Sequence, residues 1–226
     1  MGEILVVTDA VSTLSSVAQL DPHDPNTAFL GNFRADNLDA PELAGIGFTR
    51  FAYGFLGATG AGGTTAIFGT SKDKTDRVIR RSVNRGTGWT GWATASASFR
   101  PVDQTPAITV CPHHPARVYA VSAGAKVVRI EGVTNPTETM IFDARDFVAP
   151  GHPKYAVNSI AVDPRNEDLL YVSLFMWGTP NVFRSTDRGA SWTDISRNVP
   201  SLDGEIFIHP LTSDVFFGSS HGTHVL

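Results

Sequence analysis

The chain has 226 residues, of which 42% are hydrophobic, and this length lets one domain bury a sizeable core without covalent cross-links. Its 18 Lys and Arg residues stand against 22 Asp and Glu residues, a net charge of -4. Because phosphate binding normally needs a basic surplus, this balance argues against nucleic acid as a partner. The single cysteine, Cys111, excludes a disulfide within the chain.

The N-terminal segment, MGEILVVTDA, lacks the basic region and the long apolar core of a signal peptide. No stretch of the sequence approaches the apolar length that a membrane-spanning helix needs. The sequence therefore predicts a soluble protein without membrane insertion. It would be cytoplasmic or, if the sequence is a processed fragment, extracellular. The oligomeric state stays open.

Four segments of the chain share one pattern, in which an apolar strand ending at a proline is followed by a polar turn and a second apolar strand. They span residues 16–32, 107–122, 159–174 and 205–220. The prolines are Pro22, Pro112, Pro164 and Pro210, and aromatic residues follow them at Phe29, Tyr119, Tyr171 and Phe216. Since the prolines are 90, 52 and 46 residues apart, we expect one degenerate copy between residues 50 and 98.

Two further strands follow each later pair, as in KVVRIEG and ETMIFDA or NVFRSTD and SWTDIS. Four short antiparallel strands in about 45 residues, separated by Gly, Pro, Asn and Asp, are typical of a β-propeller blade. The sequence predicts an all-β protein with a single domain over residues 1–226 and five blades. The N-terminal EILVVTDA is expected to supply the missing fourth strand of the last blade. The alternative is that the chain is part of a larger propeller.

One eight-residue pattern recurs between third and fourth strands, as STDRGASW and SVNRGTGW. The Asp or Asn side chain can accept hydrogen bonds from backbone amides of its own turn, the Gly permits a positive φ, and the Trp is expected to pack over the hairpin. Asn keeps the accepting oxygen without the charge, so the shared chemistry indicates turn formation rather than acid/base catalysis. The residues with this structural role are Ser82, Asn84, Gly86, Trp89, Ser185, Asp187, Gly189 and Trp192.

This pattern resembles the Asp-box, or BNR, repeat of the form Ser-x-Asp-x-Gly-x-x-Trp. Such repeats join the third and fourth strands of propeller blades in sialidases, xyloglucan-specific glycoside hydrolases, sortilin-type receptors and photosystem assembly factors. The copy at Ser185–Trp192 matches in full, and the copy at Ser82–Trp89 has Asn84 in place of the acid. The resemblance implies a propeller fold with the boxes at its rim, away from the ligand-binding centre. It does not imply one function.

Three other motifs suggest chemistry that their surroundings do not support. GSSHG, at residues 218–222, has the spacing of a nucleophile elbow, but too few residues follow it for a helix and a complete triad. GATGAGGT, at residues 57–64, resembles a phosphate loop but has glycine where the lysine is needed. CPHHP, at residues 111–115, offers Cys and His without a second cluster at ligand spacing. The sequence therefore predicts neither a metal site nor a cofactor.

A glycoside hydrolase needs two carboxylates about 5 to 10 Å apart across a cleft. The Arg-Ile-Pro signature of the sialidases that this sequence resembles is absent, and FRPVD at residues 99–103 lacks the central Ile. Acidic residues in the connections expected at the central face are Asp36, Asp39, Glu42, Asp73, Asp143 and Asp146. Spacing pairs none of them, so no catalytic residue is predicted and the chain is not expected to be an enzyme.

The same connections contain groups suited to binding. LFMWGTP, at residues 174–180, places three large apolar side chains after a second strand, and the polar stretch Phe33–Gly47 is the longest insertion between paired strands. Aromatic rings beside polar groups commonly hold sugar rings or peptide side chains, although Trp177 could equally pack against a neighbouring blade. The candidate ligand-binding residues are Asp36, Asp39, Asp73, Tyr155, Phe175, Trp177 and His221.

Three functions are consistent with these features. The first is a non-catalytic binding propeller that presents central-face connections to a glycan or a protein. The second is a glycoside hydrolase of the sialidase or xyloglucanase kind, or a fragment of one, which requires two converging carboxylates. The third is a structural subunit of a larger assembly, which requires an associating surface.

Overall fold

A computed structural model describes the strands of the N-terminal half and most of the chain from residue 108 onward. The described ranges are residues 4–9, 15–20, 48–56, 64–71, 78–82, 90–94 and 108–226, the last without 112–113, 115, 133–134, 152–154, 177–179, 198, 200–203, 210 and 220–221. Before residue 108, side-chain burial is described only at Ile79 and Gly91.

Seventeen strands form five separate antiparallel sheets in the described ranges. The β1–β2 sheet contains β1 (Ile4–Asp9) and β2 (Ser15–Leu20). The β3–β6 sheet contains β3 (Phe48–Leu56), β4 (Thr64–Ser71), β5 (Val78–Ser82) and β6 (Thr90–Thr94). The β7–β10 sheet contains β7 (Ile108–Val110), β8 (Arg117–Ser122), β9 (Lys126–Glu131) and β10 (Thr137–Asp143).

The last two sheets are also antiparallel, one with four strands and one with three. The β11–β14 sheet contains β11 (Ala156–Val162), β12 (Leu170–Phe175), β13 (Val182–Ser185) and β14 (Thr193–Asp194). The β15–β17 sheet contains β15 (Glu205–Ile208), β16 (Val215–Ser219) and β17 (Gly222–Val225). In every four-stranded sheet the strands lie in chain order, each paired antiparallel with the next. The predicted four-strand unit is therefore confirmed, including the degenerate copy in which β3 replaces the strand ending in proline.

The sheets stack in the order in which they occur along the chain. The first strands of the last four sheets lie against one another in succession, since β3 contacts β7, β7 contacts β11 and β11 contacts β15. The middle strands β8 and β12 are buried along almost their whole length, because sheets cover both of their faces. Stacking of this kind buries apolar faces that no single sheet could cover by itself.

The predicted closure of the array by the N-terminal strand is not confirmed. β1 pairs with β2, with Ile4 opposite Leu20 and Asp9 opposite Ser15, and the last sheet has β17 as its edge among the described strands. The number of five blades is likewise not established by these sheets. The pairing of β1 with β2 follows from their proximity in the chain, since two strands joined by a short connection form a hairpin more readily than distant strands pair.

Helical structure in the described part of the chain is limited to one 3₁₀ turn, Ala144–Asp146, after β10. Asp143 caps this turn by accepting a hydrogen bond from the backbone N–H of Arg145. Within the described ranges, no helix has the length and apolar character needed to cross a membrane.

Candidate functional site

The turn between β13 and β14 is organised around the buried hydroxyl of Ser185. Its Oγ accepts a hydrogen bond from the backbone N–H of Gly189 at 2.8 Å and donates one to Oδ1 of Asp187 at 2.8 Å. Ser185 is the last residue of β13, so the strand delivers this hydroxyl directly into the turn. The Ser185 side chain thereby connects the first part of the turn, at Asp187, with its far side, at Gly189.

Asp187 is engaged within the same turn. Its carboxylate accepts hydrogen bonds from the backbone N–H of Ser191 at 2.8 Å and from the hydroxyl of Ser191. The Ser191 hydroxyl, followed by the Ser191 amide and the Ser185 hydroxyl, lowers the pKa of Asp187 to about 2. Hydrogen bonds to the ionised form favour it, and a carboxyl group held this way is a poor general acid. The Asp187 carboxylate thus accepts hydrogen bonds from residues of its own turn.

Gly189 satisfies two requirements at once. Its φ of +88° is in the region that glycine adopts without strain. A Cβ at this position would lie 2.9 Å from Cβ of Ile141 on β10 of the preceding sheet, closer than nonbonded carbon atoms approach. The glycine therefore lets the turn bend and also lets it approach the neighbouring strand.

Trp192 connects the turn to the preceding sheet and packs against the core cluster that includes Phe183 of its own hairpin. Its indole Nε1 donates a hydrogen bond to the main-chain oxygen of Ile141 at 2.6 Å. The ring meets that of Phe142 edge to face, with centroids 5.2 Å apart. The β9–β10 pairing shifts register between Met140 and Phe142, and this bulge at Ile141 locally interrupts the ladder. A long aromatic side chain with one N–H donor is suited to reach that carbonyl.

A cleft of about 430 Å³ lies between β10 and this turn. Its lining combines apolar groups, including Met140, Phe147 and Trp192, with the guanidinium groups of Arg129 and Arg188. Both guanidinium groups form ion pairs, since Arg129 Nε lies 3.1 Å from Glu131 and Arg188 Nη2 lies 2.6 Å from Glu167. Their charge is thus balanced by the protein.

Glu167 joins the two sheets on either side of this cleft. It lies in the turn between β11 and β12, and its Oε2 accepts a hydrogen bond from Arg117 Nη1 at 3.0 Å. The same oxygen is 2.9 Å from His114 Nε2, and Oε1 is 2.6 Å from Arg188 Nη2. The sequence predictions did not include Glu167. The sequence shows the acidic turn PRNED, but nothing local reveals that the partners of Glu167 lie 50 and 53 residues upstream and 21 residues downstream.

The predicted ligand-binding residues Tyr155 and Phe175 lie at the same end of the β11–β14 sheet, with Tyr155 packed against the buried core. Tyr155 immediately precedes β11, and Phe175, which is 44% exposed, ends β12 opposite Ala156. Tyr155, the last residue of the β10–β11 connection, therefore lies at the same sheet end as the exposed Phe175 ring. Among the other candidates, five fall outside the described residues, namely Asp36, Asp39, Asp73, Trp177 and His221.

Asp143, one of the acidic residues considered for catalysis, forms an ion pair. It is 6% exposed and accepts hydrogen bonds from the guanidinium group and backbone N–H of Arg145, with Lys126 Nζ at 3.7 Å. The hydrogen bond from the Arg145 side chain is the main reason that the pKa of Asp143 is lowered. Asp146, three residues later, is exposed. The pair holds the Arg145 side chain, itself largely exposed, beside the start of the connection that ends at Tyr155.

The second copy of the eight-residue pattern is only partly described. Ser82 ends β5, which pairs with β6, and its side chain is not described. Asn84, Gly86 and Trp89 lie outside the described residues. The strands on both sides occupy the same places in their sheet as β13 and β14 do in theirs.

The sulfur and histidine groups of CPHHP do not converge on a metal site where the structure describes them. Cys111 is fully buried, and His114 pairs with Glu167. No group of three or more His, Cys, Asp or Glu residues able to hold a metal ion occurs among the described residues.

Four-stranded antiparallel sheets that stack in chain order through their first strands define an all-β protein of the propeller type. A GH74 enzyme of Niastella koreensis has a similar structure, with a TM-score of 0.58 and 14% identity over 78% of this chain and 26% of that chain. The GH74 xyloglucanase of Xanthomonas campestris matches with a TM-score of 0.54 and 16% identity, over 76% of this chain and 26% of that chain.

The chain thus spans about a quarter of the length of these two enzymes. At such low identity the likeness shows the fold alone. No protein-family profile matches the sequence, and no curated protein matches it.

Proposed function

We propose that this chain is a non-catalytic binding module that presents one end of its stacked sheets to a glycan or a protein segment. The observation that carries the proposal is the exposed ring of Phe175 beside the start of β11, where Tyr155 enters the sheet. An exposed aromatic ring at the end of a sheet offers a flat apolar surface, which suits a sugar ring.

Charged groups at the end of β10 support the same assignment. Arg145 is held by the buried carboxylate of Asp143, and Lys126 lies on the strand paired with β10 at that point. Because Asp143 fixes the guanidinium in one orientation, hydrogen-bond donors are presented without a large entropic cost on binding. The connection that begins at Ala144 leads to β11, the strand that pairs with the end of β12 that carries Phe175. Asp36, Asp39, Asp73, Trp177 and His221 are proposed to contribute from their own connections.

The carboxyl groups weigh against the hydrolase alternative in the described part of the chain. A glycosidase acid needs a raised pKa. Three carboxyl groups in this part of the chain have a displaced pKa, and in all three the pKa is lowered. They are Glu131, Asp143 and Asp187, and in each the effect of desolvation is outweighed by the combined effects of neighbouring groups, hydrogen bonds among them. The likeness in fold to GH74 enzymes is what favours the alternative that the chain is a hydrolase or a fragment of one. If it is an enzyme, glycoside hydrolysis is the proposed reaction.

We further propose that Ser185–Trp192 and Ser82–Trp89 are Asp-box turns with a structural role. The hydrogen bonds of Ser185 and Asp187 and the contact of Trp192 with β10 support this for the first copy.

Glycan-array binding of the Phe175→Ala variant tests the binding proposal. We expect the parent chain to bind a subset of oligosaccharides and the variant to lose at least about tenfold in affinity, the loss expected for one stacked ring. Met140→Ala is the matched control, because Met140 is 49% exposed and lies on β10, in a different sheet from β11 and β12. Equal binding by parent and Phe175→Ala would refute the assignment of this end to glycans. If the parent chain hydrolyses an oligosaccharide, the alternative that it is a glycoside hydrolase would be favoured instead.

A further inference from the structure

The cleft between β10 and the Ser185–Trp192 turn has the size of a ligand site. Its volume of about 430 Å³ lies within the range of roughly 300–1,000 Å³ that is usual for small-molecule sites. One wall consists of β10 and the 3₁₀ turn after it, and the other is the Ser185–Trp192 turn of the next sheet. Phe175 does not line this cleft, so it is separate from the proposed binding end.

The cations that line the cleft are bound to carboxylates that do not line it. Arg129 Nε lies 3.1 Å from Oε2 of Glu131. Arg188 Nη2 lies 2.6 Å from Oε1 of Glu167, and Arg188 Nε donates a hydrogen bond to Asp168. Because both guanidinium groups are neutralised in this way, the described lining has no unpaired cation for an anionic ligand.

Two of the three carboxylates in the lining are not neutralised. The buried carboxylate of Asp143 has Arg145 and Lys126 as partners. Within the described residues, by contrast, Asp146 and Asp187 form no ion pair, and Asp146 acts on Arg145 only at longer range. Asp187 accepts hydrogen bonds from neutral hydroxyl and amide groups, which lower its pKa to about 2 and keep it ionised at neutral pH. Two negative charges therefore face each other from opposite walls.

The apolar part of the lining suits a cation that carries an apolar stem. The indole of Trp192 already donates its N–H to the Ile141 carbonyl, so the rest of its surface in the cleft is apolar and aromatic. The partly buried ring of Phe147 and the half-exposed thioether of Met140 complete this surface. Aromatic rings attract ammonium and guanidinium groups, and most strongly when the ring is an indole.

We propose that this cleft binds an organic cation, an alkylammonium or alkylguanidinium group. Its charged head lies between Asp146 and Asp187, and its apolar stem packs on Trp192, Phe147 and Met140. A neutral or anionic ligand would leave both carboxylates without compensation while removing water from them, which is costly. Such a cation is supplied by a basic side chain of a polypeptide or by a free amine. The proposal does not depend on the proposed binding function.

A titration followed by NMR tests this site in the full chain. The probe is n-butylguanidinium, and n-butylurea, which has nearly the same shape without the charge, is the ligand control. We expect a saturable shift of the Trp192 indole N–H signal, with a Kd on the order of 1–10 mM for so small a ligand. Butylurea should bind at least about tenfold more weakly. The signal is assigned by its absence in Trp192→Phe.

Substitutions of the two carboxylates locate the head of the cation. Asp187→Asn and Asp146→Asn should each weaken binding of butylguanidinium at least about threefold, because each removes one of the two charges. Asp214→Asn is the matched control, since it makes the same change in net charge in an exposed hairpin turn outside the cleft. Asp214→Asn and Phe175→Ala should both bind the probe as the parent does, which separates this site from the proposed glycan site.

The proposal would be overturned by equal affinities for butylguanidinium and butylurea, or by the absence of a saturable shift up to about 100 mM probe. Unchanged affinity in both carboxylate variants would overturn it too. If Asp187→Asn fails to fold, Asp146→Asn decides, since Asp146 is exposed.

A comparison of acetyl-Gly-Lys-Gly-amide with n-butylammonium identifies the source of the cation. Binding of the peptide at least about tenfold more tightly would support a basic side chain of a polypeptide as the ligand. Equal affinities would support a free amine. Weaker binding of both probes than of butylurea would contradict a cation site.

Discussion

The indole Nε1 of Trp192 donates a hydrogen bond to the main-chain oxygen of Ile141 across two sheets, at 2.6 Å. The bond joins the turn of one sheet to a bulge in the edge strand of the preceding one. Bulged and covered edge strands resist pairing with other chains. The turn therefore connects two neighbouring sheets in addition to joining β13 and β14.

Trp192→Phe should destabilise the protein by about 1–3 kcal/mol, because the ring is retained while a partly buried carbonyl loses its donor. Urea unfolding followed by circular dichroism measures the change. Trp192→Ala, which also removes the edge-to-face contact with Phe142, should cost more. If Trp192→Phe unfolds at the same urea concentration as the parent, the hydrogen bond contributes nothing measurable.

Gly189→Ala should be markedly more destabilising than Gly151→Ala. The two glycines have almost the same φ, +88° and +89°, but an added Cβ would contact Ile141 only at Gly189 and has nothing within 4 Å at Gly151. Gly151→Ala should cost about 1–2 kcal/mol from backbone strain. Gly189→Ala should cost about 1–3 kcal/mol more from overpacking. If both variants lose the same free energy of unfolding in urea, the turn accommodates the added Cβ without disturbing β10.

Acid should weaken the turn through Asp187. Its pKa in the folded protein is about 2, below the ordinary value of 3.8, so its ionised form is favoured by folding. The stabilisation is complete above the unfolded pKa and is lost as the pH falls toward 2. Asp187→Asn should therefore reduce the loss of stability between about pH 4 and pH 2. Urea unfolding curves measured between about pH 4 and pH 2 test this prediction. If Asp187→Asn loses as much stability as the parent over this range, the contribution assigned to the Asp187 carboxylate is contradicted.

Glu167→Gln should lower stability by about 2 kcal/mol, because it weakens charge-assisted hydrogen bonds from groups on both sheets. Arg117 and Arg188 would each lose an ionic partner, although both keep a second acidic neighbour at Glu131 and Asp168. Asp146→Asn is the control, since Asp146 is exposed in the 3₁₀ turn. The difference between the two variants should shrink in high salt. A loss as large in Asp146→Asn would indicate a general effect of net charge.

Local patterns were sufficient for the strands and hairpins. Alternation of apolar residues and the proline-terminated turns predicted β7–β8, β11–β12 and β15–β16, and the glycine and hydroxyl groups of STDRGASW predicted the β13–β14 turn. These features depend on residues within a few positions of one another. The predicted pairing of β1 with β17 was not confirmed, because strand pairing depends on which strands meet, and β2 is nearer along the chain.

Contacts between sheets were beyond any local pattern. Trp192 and Ile141 are 51 residues apart, and the bulge that frees the Ile141 carbonyl leaves no mark in the sequence. Glu167 could be recognised as a charge in a turn, but not as the group that Arg117, Arg188 and His114 share. Likewise, Phe175 could be assigned to a sheet end, whereas its position opposite Ala156 required the strand register.

The sequence by itself determined an all-β chain of repeated antiparallel units with structural turns, because backbone hydrogen bonding and apolar alternation act over a few residues. Only the tertiary structure decided which face of each sheet receives the next and which polar groups meet between sheets. Those choices depend on side-chain volume and on donors and acceptors that are distant in the chain, and they exist only once the sheets are stacked.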